Sequence, residues 1–271
     1  MRNVNSDPFL LTKGFDRKYS VEKFCSYFDI YDKHFHKFKG RTPNILEIGV
    51  NMGGSLEMWG DYFEWDCKIY GVDINPECSR VELPYTEIHI GDASEKDFWD
   101  EFKSKTPKMD IVIDDGGHRV WEQKAAYENL FEHMKCDSVY LCEDLEFSYL
   151  YYLPSWSREK KRNTFVEYTK GLIDLLNAWF WRRQEVPDFQ MRYKSSHRED
   201  MWGCLPPDSK ALDFCKKVNS ITYYENVVVL EFNSEIKIEY GEILNKPLQG
   251  RKSRRDPPNI IYGRGKNDIW K

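Results

Sequence analysis

Two periods of hydrophobic and polar residues alternate along the chain. Short apolar runs at 44–49 (Asn-Ile-Leu-Glu-Ile-Gly), 68–72, 87–90, 110–113 and 138–142 have the length of buried strands. Between them, apolar residues recur at spacings of three and four, the signature of helices with one buried face. The first such stripe is Val21, Phe24, Phe28, Tyr31, Phe35 and Phe38, with Ser20 as its cap and Asp29, Asp32, Lys33 and Lys37 on a solvated face. Leu56–Tyr62 and Trp121–Met134 predict helices after the first and fourth strands. Thr164–Arg183 carries a stripe of Phe165, Tyr168, Leu172, Leu175, Leu176 and Trp179, and 211–218 reads as a short helix. Ser220–Tyr224 and Val227–Phe232 are rich in β formers and are separated only by Glu225-Asn226, which predicts a hairpin at the sheet edge. Strands alternating with helices predict an α/β fold around a mostly parallel sheet, closed by an antiparallel hairpin.

Each predicted strand ends in or beside a carboxylate: Glu47, Asp73, Asp92, Asp114/Asp115 and Glu143/Asp144. In a parallel sheet these ends share one edge, where open α/β sheets bind ligands. Clustered carboxylates repel one another unless hydroxyls or a cation offset them. The densest stretch is Asp110–His118, Asp-Ile-Val-Ile-Asp-Asp-Gly-Gly-His. Gly116 and Gly117 allow a sharp turn, while two Asp and one His within five residues have the groups to hold a cation and move a proton. The alternative is a helix-entry turn, with an Asp as cap and His118 filling space. After the first strand, Gly49 and Gly53-Gly54-Ser55 form a strand, turn and helix of the kind that brings a nucleotide-like ligand onto backbone N–H groups. The spacing is not GxGxxG. Asp73, closing the second strand, is placed to accept ribose hydroxyls.

Composition narrows the classes. The 271 residues are 41% hydrophobic and 31% charged, a globular balance. No apolar run approaches the ~20 residues of a membrane span, and the first residues lack the apolar core of a signal peptide. Seven cysteines without CxxC spacing predict reduced thiols in a cytoplasmic protein and no zinc site. The net charge of −5 is uneven: residues 244–271 carry eight Lys/Arg and two Asp, a net +6, so the rest carries −11. That predicts a domain over 1–243 and a basic tail over 244–271, either solvated or in contact with an anionic partner. The acidic body argues against nucleic acid. Residues 146–162 are aromatic, then basic, and read as a lid, the start of an insert reaching to about 216.

Glu47-Ile-Gly49 with Gly53-Gly54-Ser55-Leu56, Gly71-Val-Asp73 and Gly91-Asp92 resemble the first three motifs of the class I S-adenosylmethionine-dependent methyltransferases. Ile113–His118, Glu143-Asp144-Leu145 and Ser220–Phe232 resemble more closely the sugar O-methyltransferases of macrolide and polysaccharide pathways, a group some of whose members are labelled cephalosporin hydroxylase. The resemblance runs from about Tyr19 to Phe232. It implies a Rossmann-like seven-stranded fold with helices on both faces and a helical cap over about 19–40. It also implies an S-adenosyl-L-methionine site built from Glu47, Gly49, Gly53, Gly54, Ser55, Asp73, Asp92 and Asp114. Asp115, Glu143 and Asp144 would hold Mg²⁺ or Mn²⁺, and Asp115 and His118 would be catalytic, with His118 as general base. The acceptor would be a hydroxyl of a sugar or glycosylated small molecule, and a homo-oligomer is compatible with the group. Gly117 stands where many relatives have Ser.

The chemistry is coherent. A sugar hydroxyl is a very weak acid, so a neutral imidazole alone is poorly matched to it, and a divalent cation on the oxygen lowers its pKa. Three rival readings stand beside this one. A nicotinamide-dependent oxidoreductase is disfavoured by the missing GxGxxG and by the Glu143-Asp144 pair. A nucleic-acid methyltransferase is disfavoured by the acidic body, and a non-catalytic binding protein by the complete acid and His set.

Overall fold

The computed structural model describes residues 18–149, 164–177 and 209–235, all within one compact unit, Met1–Glu235. Seven strands form one sheet: β1 (Asn44–Ile48), β2 (Lys68–Asp73), β3 (Thr86–Ile90), β4 (Met109–Asp114), β5 (Met134–Cys142), β6 (Val218–Tyr224) and β7 (Val227–Phe232). Their order is β3-β2-β1-β4-β5-β7-β6. The first five are parallel; β7 pairs antiparallel with both β5 and β6. This is the Rossmann-like methyltransferase arrangement with its terminal hairpin.

Alternation along the strands divides the core in two. Leu46, Ile48, Val72, Val112, Tyr140 and Leu230 face one side, under α3 (Lys96–Lys105), α4 (Val120–Leu130) and α5 (Phe165–Leu176). Ile45, Ile69, Ile111, Ile113, Leu141 and Val229 face the other, under α1 (Cys25–Phe35) and α2 (Gly54–Tyr62). A sixth helix, α6 (Ser209–Lys217), leads into β6.

Several boundaries differ from the sequence reading. Helix α1 begins at Cys25, with Phe24 in extended conformation at its cap, and Ser20 does not cap it. The segment before it is anchored by the first turn of α2, where the Glu57 carboxylate accepts from the Lys18 and Tyr19 backbone N–H groups at 3.1 and 3.0 Å. The buried face of α1 is Tyr27, Ile30, Tyr31, His34 and Phe35, while Phe24 is exposed and Phe28 half-buried. The charged residues on it and just after it are also engaged: Tyr62 donates to Asp32, Lys33 to the Tyr224 hydroxyl and Lys37 to Asp137. Helix α4 stops at Leu130, because Met134 is drawn into β5 opposite Met109. The apolar spacing of Phe98, Trp99 and Phe102 marks α3, which the sequence reading passed over. Thr164 caps α5 rather than beginning it, accepting from the Glu167 N–H. Most of the expected lid, residues 178–208 and the basic tail lie outside the described residues.

Candidate active site at the carboxyl edge of the sheet

The ends of the five parallel strands open onto a cavity of about 730 Å³. Gly49, Asp73, Asp92, Asp115, His118, Glu143 and Asp144 all line it, as do Lys23, Tyr27 and Phe147. Glu47, Gly53, Gly54, Ser55 and Asp114, expected from the sequence to serve the cofactor, are not among the residues that line it.

The glycines explain part of that arrangement. A Cβ on Gly54 would lie 2.0 Å from the Ser20 carbonyl oxygen, so this glycine admits the N-terminal segment. Gly53 has φ +82 and a Cβ there would press on Val81. At Gly49, φ is +95 and a Cβ would meet the Asp115 carbonyl oxygen at 2.0 Å. Gly49 therefore lets the ends of β1 and β4 meet at the cavity wall. Strand alternation explains the rest. Asp114 shares a face with Val112 and Tyr140, and its Oδ2 accepts from the Tyr140 hydroxyl at 2.8 Å. Burial pushes its carboxyl up to about 7 although that hydrogen bond favours the charged form. Glu47 points to the opposite face, where Trp59 Nε1 donates to its Oε2 at 3.1 Å.

Asp73 is pinned by the backbone around it. Its Oδ2 accepts from Val50 N and Asn51 N, at 2.9 and 3.0 Å, and its Oδ1 from Asn75 N at 2.8 Å. Backbone donors thus fix both carboxylate oxygens while the residue still lines the cavity. Asp92 accepts from Ser94 N at 2.8 Å and shapes the turn into α3.

The polar cluster gathers beyond β4 and β5. Asp115, His118 and Asp144 each present a ligand atom, all within 4.8 Å of one another. His118 Nε2 lies 3.7 Å from Asp144 Oδ2. The imidazole stacks on Phe147, centroids 4.9 Å apart at 11°, and its buried Nδ1 has no hydrogen-bond partner among the described residues. His118 and Asp144 both hold left-handed backbone, φ 57 and 55, a strain that aims both side chains at the cavity. Tyr27 donates to Asp144 Oδ1 at 2.7 Å, and Asn226 of the hairpin turn donates to the Tyr27 hydroxyl at 2.6 Å.

Glu143 is turned elsewhere. Its Oε1 accepts from Tyr31 at 2.5 Å and its Oε2 from Lys23 Nζ at 2.8 Å. The same ammonium lies 2.5 Å from Asp115 Oδ2 and 3.5 Å from Glu47 Oε1. Burial alone would depress the Lys23 ammonium, but Glu143, Glu47 and Asp115 outweigh it and hold its pKa well above the ordinary value. Burial still pushes Glu143 up to about 8 and Glu47 up to about 7, because one ammonium does not neutralise three buried carboxylates. Sequence reasoning missed Lys23, Tyr27, Tyr31 and Asn226. None belongs to a motif, and only the folded N-terminal segment and hairpin turn bring them to this edge.

A second cavity of about 810 Å³ shares Phe24, Tyr27 and Glu146 with the first. Its other walls include Tyr149, Val166, Ile173 and Tyr223, largely aromatic and apolar.

No protein-family model matches the chain. It is similar to demethylmacrocin O-methyltransferase of Streptomyces fradiae, 30% identical over 58% of this chain and 40% of that protein. It is 34% identical to mycinamicin VI 2''-O-methyltransferase of Micromonospora griseorubida, over the same shares. The chain thus spans about 40% of the length of these curated relatives. Among solved structures, it resembles MycE methyltransferase from the mycinamycin pathway, in complex with Mg, SAH and mycinamycin VI. The TM-score is 0.61 and identity 26%, covering 79% of this chain and 50% of that one. The resemblance drawn from the motifs is therefore found again in sequence similarity over 58% of the chain, and in fold similarity, to sugar O-methyltransferases.

Proposed function

We propose that the chain is an S-adenosylmethionine-dependent O-methyltransferase acting on a hydroxyl of a sugar or glycosylated small molecule. The observation that carries this reading is the placement of Asp115, His118 and Asp144 on the same cavity as Asp73 and Asp92. A nucleoside-binding edge and a proton-moving cluster then face one another across a space of ligand size. The relatives' printed activities support the same reaction class and a glycosylated acceptor.

The residues present fit a small divalent cation. Asp115 and Asp144 supply hard oxygen donors close enough to converge on one ion, with Mg²⁺ or Mn²⁺ matching the carboxylates, and His118 lies beside them. Asp115 and Asp144 would hold it, and a hydroxyl in contact with such an ion is more acidic. Glu143 would join only by giving up its contact with Lys23 or Tyr31. The cofactor fit rests on the turn at Gly49 and the carboxylates of Asp73 and Asp92, which line the cavity together.

The chain's own residues then divide the work. Asp73 and Asp92 hold the nucleoside end. His118, oriented by its stack on Phe147, takes the hydroxyl proton. Asp144, 3.7 Å from Nε2, stabilises the imidazolium that results. Tyr27 and Asn226 fix the Asp144 carboxylate. The aromatic second cavity is placed to receive the remainder of a bulky acceptor. Titration with S-adenosylhomocysteine, followed by radiolabelled methyl transfer to a panel of glycosylated macrolides, tests the reading. Absence of nucleoside binding would end it; binding without transfer to any glycoside would leave the cofactor and remove the acceptor class.

A further inference from the structure

Glu146 stands where the two cavities meet, in the wall of both together with Phe24 and Tyr27. A single tight turn, Leu145–Ser148, carries it two residues beyond Asp144. Asn226 sets the spacing of these two acids. Its Oδ1 accepts from the Glu146 backbone N–H at 2.5 Å, and its Nδ2 donates to the Tyr27 hydroxyl that holds Asp144. The Glu146 Oε2 is buried and has no hydrogen-bond partner among the described residues. The nearby ammonium groups are engaged elsewhere. Lys170, on the second cavity, donates to Glu167 at 2.6 Å, and Lys23, on the first, is held by Asp115 and Glu143. A buried acceptor without a donor is costly, and a ligand that brings the donor recovers that cost.

Charge decides which donors suit. Among the described residues, the first cavity is lined by eight acids and one lysine. A divalent cation and a sulfonium would still leave the acids in excess, so the neck between the cavities stays negative when both are bound. Beyond the neck, Tyr149, Ile173 and Tyr223 present exposed ring and apolar surface to the second cavity.

We propose that Glu146 is a specificity-determining residue for the acceptor: its carboxylate accepts from an O–H or N–H donor on the sugar at the neck, while an apolar aglycone lies in the second cavity. Neutral and protonated amino glycosides are taken, and anionic ones are refused. This rests on the acceptor reading above and adds the residue that selects within it.

Calorimetry on the full chain, saturated with S-adenosylhomocysteine and Mg²⁺, tests it. Three probes share an aromatic aglycone: 4-nitrophenyl glucoside, 4-nitrophenyl 2-amino-2-deoxyglucoside and 4-nitrophenyl glucuronide. The amino glycoside should bind at least as tightly as the glucoside, and the glucuronide at least about tenfold more weakly. Glu146→Gln keeps the shape and one acceptor oxygen and removes the charge. It should narrow the gap between amino glycoside and glucuronide by about tenfold. Glu146→Leu, with no acceptor, should in addition weaken the glucoside by about threefold to tenfold. S-adenosylhomocysteine affinity should match the wild type in both variants. A merely structural role would weaken all three probes alike and leave the gap unchanged. That result, or a glucuronide that binds the wild type as tightly as the glucoside, would overturn the proposal while leaving the methyltransferase reading intact. Where a variant does not fold, the wild-type ranking of the probes still decides. Wild type that binds the nucleoside but none of the three probes would overturn both this proposal and the glycoside acceptor.

Discussion

At the scale of single residues, the site separates groups that act from groups that hold. His118→Ala should lower turnover by roughly 10²–10⁴-fold while leaving S-adenosylhomocysteine affinity unchanged, because the imidazole faces Asp144 and not the Asp73 end of the cavity. Near-normal turnover at neutral pH, with a confirmed acceptor, would assign the proton to water instead. Asp73→Ala should cost about 1.5–3 kcal/mol of nucleoside affinity by calorimetry, partly by releasing the Val50, Asn51 and Asn75 N–H groups it now binds. Glycines separate in the same way. Gly49→Ala places a Cβ against backbone at φ +95 and should destabilise the fold by on the order of 3–5 kcal/mol in denaturant melts. Gly117→Ser meets only the end of the Glu122 side chain, which can swing aside, so its melt should shift little. The strand-end acids were legible in the sequence because apolar runs and turns mark where strands stop. Which acid turns inward was not: Asp114 and Asp115 are neighbours in sequence, and only the register of β4 sends the first to Tyr140 and the second to the cavity.

At the scale of elements, the β hairpin and α1 are tied by polar contacts that no apolar stripe reveals. His34 Nδ1 lies 3.2 Å from Glu231 Oε1, and the Ser220 hydroxyl donates to Oε2 at 3.0 Å. The His34 hydrogen bond, reinforced by Ser220, holds the Glu231 carboxyl down at about 2 against an ordinary 4.5. A carboxyl depressed on folding stabilises the protein above its unfolded pKa, and the gain is lost as pH falls through the folded one. Wild type should therefore lose stability relative to Glu231→Gln between about pH 4.5 and 2, by about 1–2 kcal/mol, the carboxylate being partly exposed. Urea midpoints of both proteins across that window check it; parallel curves would remove the assignment. The hairpin itself was legible, since two β-forming runs flank Glu225-Asn226, and Asn226 takes the left-handed φ of 66 that the turn requires. The start of α1 was not legible, because Val21 and Phe24 continue its spacing in sequence while Glu57, far along the chain, anchors that segment outside the helix.

At the scale of the whole molecule, the sheet order brings residues from both ends of the described chain to one edge. Exhaustive chelation should abolish methyl transfer without releasing bound S-adenosylhomocysteine, and Mn²⁺ or Mg²⁺ should restore it. Full activity after chelation would leave His118 to act without a metal. The basic stretch 244–271 lies outside the described residues; if it serves an anionic partner and not the catalytic fold, removing 250–271 should leave nucleoside affinity unchanged. The N-terminal segment carries a different consequence. Lys23, Tyr27 and Tyr31 all reach the acids beyond β4 and β5 from one short stretch, so opening that stretch dismantles the cluster. Anything that binds the assembled edge must then oppose the opening, by mass action. Amide hydrogens of 25–35 should exchange more slowly when nucleoside and cation are bound, even though few of those residues touch either, and the slowing should grow with ligand concentration.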